Sequence, residues 1–221
     1  MTKKTPLYDM HQALGAHLTD FHNYLLPLEY TSITEEHLAV RNKAGIFDLS
    51  HMGEIEVVGR GALDFLQRLI TNDAEKLPDR QVLYTPLCNE RGGILDDIIL
   101  YRFNKERFLL IVNASNIQKI HRWLEKHLIS GARINDRSDE LGMIAVQGPS
   151  SGTIMEKALG KEEASLPHHQ IMEKKMGDWE LIISRTGYTG EDGFELYSPG
   201  PQCQGLWQRL MEVGTPLGLR P

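Results

Sequence analysis

Glu54-Ile55-Glu56-Val57-Val58-Gly59-Arg60-Gly61-Ala62-Leu63-Asp64-Phe65-Leu66-Gln67-Arg68-Leu69 is the stretch where the hydrophobic period of this chain changes from two to nearly four. Ile55 and Val57 alternate with polar positions, as in a half-buried strand; past Gly59 and Gly61, Ala62, Phe65, Leu66 and Leu69 fall on one side of a helix. The same grammar continues downstream. Val82 to Leu87 predicts a strand, Asn89 to Gly93 a turn, and Ile94 to Phe103 and Arg107 to Val112 two further strands. Ile117, Ile120, Trp123, Leu124 and Leu128 make one face of a second helix, and Ala132 to Asn135 a last short strand. The order β-α-β-β-β-α-β is a split βαβ plan with one extra strand, close to a ferredoxin-like domain.

Outside this segment the patterns are less regular. Met10 to Gly15 and Phe21 to Tyr30 form a mixed N-terminal segment. Thr34-Glu35-Glu36-His37 predicts an N-cap and acidic first turn for a short helix through Lys43, with Gly45 as its stop. After Asp136-Arg137-Ser138-Asp139 come strand-like Met143 to Val146, a helix from Ser150 to Leu159 and strands over Ile171 to Met176 and Trp179 to Ser184. An amphipathic helix from Gln204 to Val213 follows, carrying Leu206, Trp207, Leu210 and Met211. These elements need a partner surface, and the first fifty residues offer one. The expected organisation is therefore a discontinuous domain, 1-52 and 138-221, with an inserted α+β domain at 53-137. Gly214 to Pro221 reads as the start of a connection to more chain.

Composition excludes several classes. The chain has 221 residues, 41% hydrophobic and 24% charged, which suits a globular protein with proper cores. A net charge of -6 argues against a broad nucleic-acid footprint. Only Cys88 and Cys203 occur, without metal-ligand spacing, so neither a disulfide framework nor a zinc site is expected, and a reducing cytoplasm fits. The N-terminus has no apolar h-region and no window approaches a membrane span, so neither a signal peptide nor membrane insertion is expected.

Two stretches are unusual for a core. Leu95-Asp96-Asp97-Ile98-Ile99-Leu100-Tyr101 sets two carboxylates in an apolar strand. Alternation puts Asp96 with Ile94 and Ile98, and Asp97 with Leu95, Ile99 and Tyr101, so the pair points apart and is no acid/base dyad. One reading has one Asp capping a backbone turn and the other solvated. Arg185-Thr186-Gly187-Tyr188-Thr189-Gly190-Glu191-Asp192-Gly193-Phe194-Glu195 follows a strand with three glycines, the aromatic Tyr188 near its middle and three carboxylates. Spacing alone leaves it open between a decorated hairpin turn and a ligand-facing loop. His51 reads as a satisfied structural histidine, His168-His169 as a loop pair, and Gln147-Gly148-Pro149-Ser150-Ser151 as a strand exit with an N-capped helix.

Taken together, Thr5-Pro6-Leu7-Tyr8, Glu36-His37-Leu38-Ala39-Val40-Arg41, Gly45 to Glu54, Thr71-Asn72-Asp73, Gly92 to Asp97, Val112-Asn113-Ala114, Val146-Gln147-Gly148-Pro149 and the 185–195 run closely resemble the aminomethyltransferases, the T-proteins of the glycine cleavage system. The resemblance extends over the whole chain. It implies the α+β folate-binding fold of that family, and further chain, including a C-terminal barrel, beyond the position of Pro221. It implies transfer of an aminomethyl group from lipoylated H-protein to tetrahydrofolate with release of ammonia, with tetrahydrofolate as co-substrate and no metal. By the same matching, Asp97 would be catalytic and Glu195 would accept hydrogen bonds from the pterin. Tyr84 and Tyr188 would flank the folate, Tyr101 would line its site, and Met52, Ile111, Val112 and Asn113 would be wall residues. Two alternatives stand beside this: another folate-dependent one-carbon transferase or demethylase, and a non-catalytic folate-binding module.

Overall fold

The computed structural model describes residues 2–221. The chain divides into two compact units, Met1–His51 with Glu140–Pro221, and Met52–Asp139. The N-terminal part of the first unit contains β1 (Lys3–Lys4), α1 (Tyr8–Ala13), β2 (His17–Phe21), β3 (Tyr24–Glu29), α2 (Ile33–Asn42) and β4 (Ala44–Asp48). The second unit follows with β5 (Gly53–Val58), α3 (Ala62–Gln67), β6 (Gln81–Cys88), β7 (Ile94–Asn104), β8 (Arg107–Val112), α4 (Ile117–Lys126) and β9 (Arg133–Asp136). The first unit then resumes with β10 (Leu141–Gln147), α5 (Ser151–Ala158), α6 (Lys161–Ala164), β11 (Ile171–Met176), β12 (Trp179–Ser184), β13 (Gly193–Pro199), α7 (Gly200–Gly214) and β14 (Leu219–Arg220).

The second unit is one antiparallel sheet in the order β6-β7-β8-β5-β9. Leaving out the edge strand β6, the remaining four run 2-3-1-4 in sequence order, the arrangement of a ferredoxin-like domain. Because side chains alternate along each strand, Ile55, Val57, Ile98, Leu100, Phe108, Leu110 and Val112 form one face. They pack with Phe65 and Leu66 of α3 and Ile120 and Leu124 of α4 into a buried core. The registers put Tyr84, Asp97, Ile99, Tyr101, Leu109, Ile111 and Glu54 on the opposite face. There Glu54 is fully buried and neither of its carboxyl oxygens has a hydrogen-bond partner among the described residues. Burial, and then the charge of Asp136, pushes its pKa well above the usual carboxylate range against the opposing pull of Arg137.

The first unit is built on a six-stranded sheet, β11-β12-β13-β10-β4-β14, beside a small β1-β3-β2 sheet. β4, from before the second unit, sits between β10 and β14, from after it, so neither part of the sequence completes this sheet alone. Ile46, Ile144, Val146, Ile183, Phe194 and Leu196 face α5 and α7, where Met155, Leu206, Trp207 and Leu210 close the core. A truncation such as Phe194→Ala would cost ~3–5 kcal/mol by the usual cavity penalty. A buried polar knot ties α1 to this sheet. His11 Nε2 lies 2.8 Å from Oδ2 of Asp48, Thr5 donates to the same oxygen at 2.6 Å, and the Tyr30 hydroxyl lies 2.8 Å from His11 Nδ1.

Several local expectations are corrected. The helix after Tyr30 starts behind Ser32, not Thr34, and ends at Asn42. Gly45 does not stop it but lies inside β4, where a Cβ would come within 2.6 Å of Val40 Cγ2. The short strand Ala44–Asp48 and the strand Gly193–Pro199 were not expected, and the tail after Gly214 forms a 3-10 turn and the edge strand β14, parallel to β4.

Candidate functional site

In the second unit the Asp96-Asp97 pair sits on β7 where the register with β6 slips between Leu87 and Cys88. The bulge and the alternation give the two carboxylates opposite environments. Asp96 is buried, and it accepts from the Asn113 backbone N–H at 3.0 Å, Asn113 Nδ2 at 2.9 Å and Asn116 Nδ2 at 2.6 Å. It therefore fastens the exit of β8 and the 3-10 turn leading into α4. Asp97 faces outward and exposed. Its Oδ2 receives the Tyr84 hydroxyl at 2.6 Å and its Oδ1 receives Asn113 Nδ2 at 3.1 Å. That hydrogen bond and the Asp97 charge raise the Tyr84 phenol above its ordinary value, so it stays a donor. An exposed carboxylate held from both sides is an oriented acceptor with lone pairs to spare.

Around this pair, Tyr84 is 64% exposed whereas Tyr101 and Ile111 on the same face are buried. Met52, immediately before β5, is half-buried. Val112 turns its side chain into the helix-side core, away from Asp97, because it follows Ile111 on the same strand. Asn113 and Asn116 are what sequence reading undervalued: Asn113 bridges both aspartates, and Asn116 was not singled out at all.

In the first unit the 185–195 run is neither a free loop nor a plain hairpin turn. Its last three residues open β13, so Glu195 is a strand residue, 2% exposed, paired with Ala145 of β10 and Ser184 of β12. Thr186 donates to Oε2 of Glu195, and the Ser184 and Thr186 hydroxyls are 2.7 Å apart. Arg185 and Asp192 close the base of the run with a two-pronged ion pair at 3.0 and 2.7 Å. Tyr188 projects at the tip, 59% exposed, edge-on to Phe47 at 5.7 Å. Partial desolvation, and then the Glu195 carboxylate, raise its phenol above the ordinary value.

The Gln147 to Ser151 segment does something other than cap a helix. Ser150, the residue preceding α5, makes no side-chain cap. Instead the Gly148 N–H and the Ser151 hydroxyl both donate to the Asp192 carbonyl, at 2.7 and 3.2 Å. Gln147, fully buried, reaches Thr186 and Thr189. Beside the run, a trough of about 700 Å³ is lined by Phe21, Leu26, Ile33, Phe47, His51 and Tyr188 among others. His51 is not the satisfied structural histidine expected: its Nδ1 has no hydrogen-bond partner among the described residues. Burial and then the nearby His22 lower its pKa against the pull of Asp48, so the ring is neutral at pH 7. His168 leans on Asp192 at 3.8 Å.

The family model of the GCVT N-terminal domain matches residues 7–221. The aminomethyltransferase of Halothermothrix orenii is 46% identical over 219 residues, covering 99% of this chain and 61% of that protein. That of Bacillus pumilus is 46% identical over 223 residues, covering 100% and 61%. The chain thus spans about three fifths of the length of these curated relatives. The crystal structure of glycine cleavage system aminomethyltransferase T from Bartonella henselae superposes with a TM-score of 0.91 at 36% identity, over 100% of this chain and 59% of that one. A chain of the heterotetrameric sarcosine oxidase from Corynebacterium sp. U-96 has a TM-score of 0.63 at 10% identity, over 100% of this chain and 99% of that one, a likeness of fold alone. With the family model running from Leu7 to the last residue, and a solved aminomethyltransferase T sharing the same α+β architecture throughout, the chain belongs to the GCVT N-terminal domain family.

Proposed function

We propose that this chain carries the folate-handling part of an aminomethyltransferase of the glycine cleavage system. The reaction moves the aminomethyl carbon from the lipoyl arm of H-protein to tetrahydrofolate, yielding ammonia, 5,10-methylenetetrahydrofolate and the dihydrolipoyl carrier. The observation that carries the reading is the division of labour in the aspartate pair: Asp96 is consumed by structural hydrogen bonds, while Asp97 is exposed and aimed by Tyr84 and Asn113. Asp97 orients the attacking nitrogen of tetrahydrofolate and takes up the positive charge or proton that develops there, a role worth ~10² to 10⁴-fold in rate. Tyr84 and Asn113 hold the carboxylate, and Tyr101, Ile111 and Met52 shape the apolar surroundings. Val112 contributes through its main chain only.

In the first unit, Glu195 accepts from the amino and ring N–H groups of the pterin, and Tyr188 supplies an aromatic face. On this reading the reaction belongs to the cytoplasm. The test is ammonia release from aminomethylated H-protein, measured on the full-length protein with and without tetrahydrofolate. Release that requires the aminomethylated carrier and is accelerated by tetrahydrofolate supports the reading. Tetrahydrofolate binding without any release favours a non-catalytic folate module instead.

A further inference from the structure

The polar residue that ends β10 is out of place. Leu141 to Val146 is buried and without a charged or amide side chain, and then Gln147 puts a primary amide into the sheet at zero exposure. A buried amide costs free energy unless both of its ends are bonded. Both are: Nε2 donates to the Thr186 carbonyl at 3.1 Å, and Oε1 accepts from the Thr189 hydroxyl at 2.9 Å. The two partners flank Gly187 and Tyr188. The site is made for this amide, because a Cβ on either Gly187 or Gly193 would collide with it. Gly193 is moreover the cross-strand partner of Gln147, two residues before Glu195.

We propose that Gln147 is a positioning residue that sets the 185–190 backbone so that Tyr188 and Glu195 present one preformed ligand surface. The inference rests on the folate reading of Tyr188 and Glu195. Gln147 does not touch the ligand; it acts through Thr186 and Thr189. Holding Thr186 by its carbonyl also fixes where its hydroxyl bonds Glu195, which orients the carboxylate toward the amine edge of a pterin. Preorganisation of this kind appears in binding, since without it the ordering of the run is paid on each association.

The test is titration of tetrahydrofolate into the full-length protein carrying Gln147→Leu, Thr189→Val or Glu195→Gln, together with steady-state kinetics. Gln147→Leu should raise the tetrahydrofolate Kd, and KM with it, by about 10- to 100-fold, as expected for two lost hydrogen bonds. Thr189→Val, which leaves the buried amide in place and is the milder change, should raise both about 3- to 10-fold. Amide exchange at 186–190 should quicken in each. A merely structural Gln147 would instead reduce the fraction of active protein, lowering kcat at unchanged KM, and that result overturns the inference. If Gln147→Leu does not fold, Thr189→Val decides by the same split. Should Glu195→Gln weaken binding while Gln147→Leu and Thr189→Val bind as wild type, the positioning role falls and the folate reading survives. If Glu195→Gln binds as wild type, both fall.

Discussion

The Tyr84 hydroxyl donates to Oδ2 of Asp97 across 2.6 Å from the neighbouring strand, although both side chains are exposed. An exposed pair earns little stability, so the bond is better understood as fixing the direction of the carboxylate. Tyr84→Phe should leave the unfolding free energy measured in urea within ~0.5 kcal/mol of wild type. It should still lower kcat/KM for aminomethyl transfer about 10-fold, the usual scale for a lost hydrogen bond to a charged group.

Asp96 should behave in the opposite way. It is buried and accepts three hydrogen bonds from Asn113 and Asn116. Asp96→Ala strands those donors, at ~1–3 kcal/mol for each one left unsatisfied. Urea denaturation should show the loss directly, with activity falling in proportion to the folded fraction.

The buried Asp48 carboxylate predicts an acid-sensitive fold. Burial raises its pKa, but hydrogen bonds from His11, Thr5 and Ser50 outweigh that and hold it below the ordinary carboxylate value. A depressed folded pKa means stability that is present above the unfolded value near ~3.9 and lost as pH falls through the folded one. Asp48→Asn should therefore be strongly destabilised at pH 7, by ~3–5 kcal/mol, since it breaks a buried polar pair. The gap from wild type should narrow in melting experiments as the pH is lowered toward 3.

Glu54 has the reverse sign. Its folded pKa lies well above the unfolded one, so rising pH ionises the unfolded chain first and erodes stability. Glu54→Gln removes the proton equilibrium at nearly constant volume. The variant should melt higher than wild type at pH 8 and close to it at pH 4. A constant difference across that range would mean that Glu54 is already paired in solution.

The sequence made the second unit legible because its strands alternate and its helices carry full apolar stripes: Ile55 and Val57, then Phe65 and Leu66, needed no further context. The opposite facing of Asp96 and Asp97 followed from the same period of two. β4 and β13 escaped for a shared reason. Ala44–Asp48 and Gly193–Pro199 are short, glycine-containing and buried on both faces for most of their length, so they show no alternation. Missing β13 put Glu195 in a loop when it stands in a sheet. Gln147 was visible as an amide ending an apolar strand, but its partners include a main-chain carbonyl, which no residue pattern announces.

The most direct measurement of the central claim is single-turnover formation of 5,10-methylenetetrahydrofolate from aminomethylated H-protein and tetrahydrofolate by full-length Asp97→Asn. The rate should fall ~10² to 10⁴-fold below wild type, with the melting temperature and tetrahydrofolate affinity nearly unchanged. A variant that forms product at the wild-type rate would contradict it.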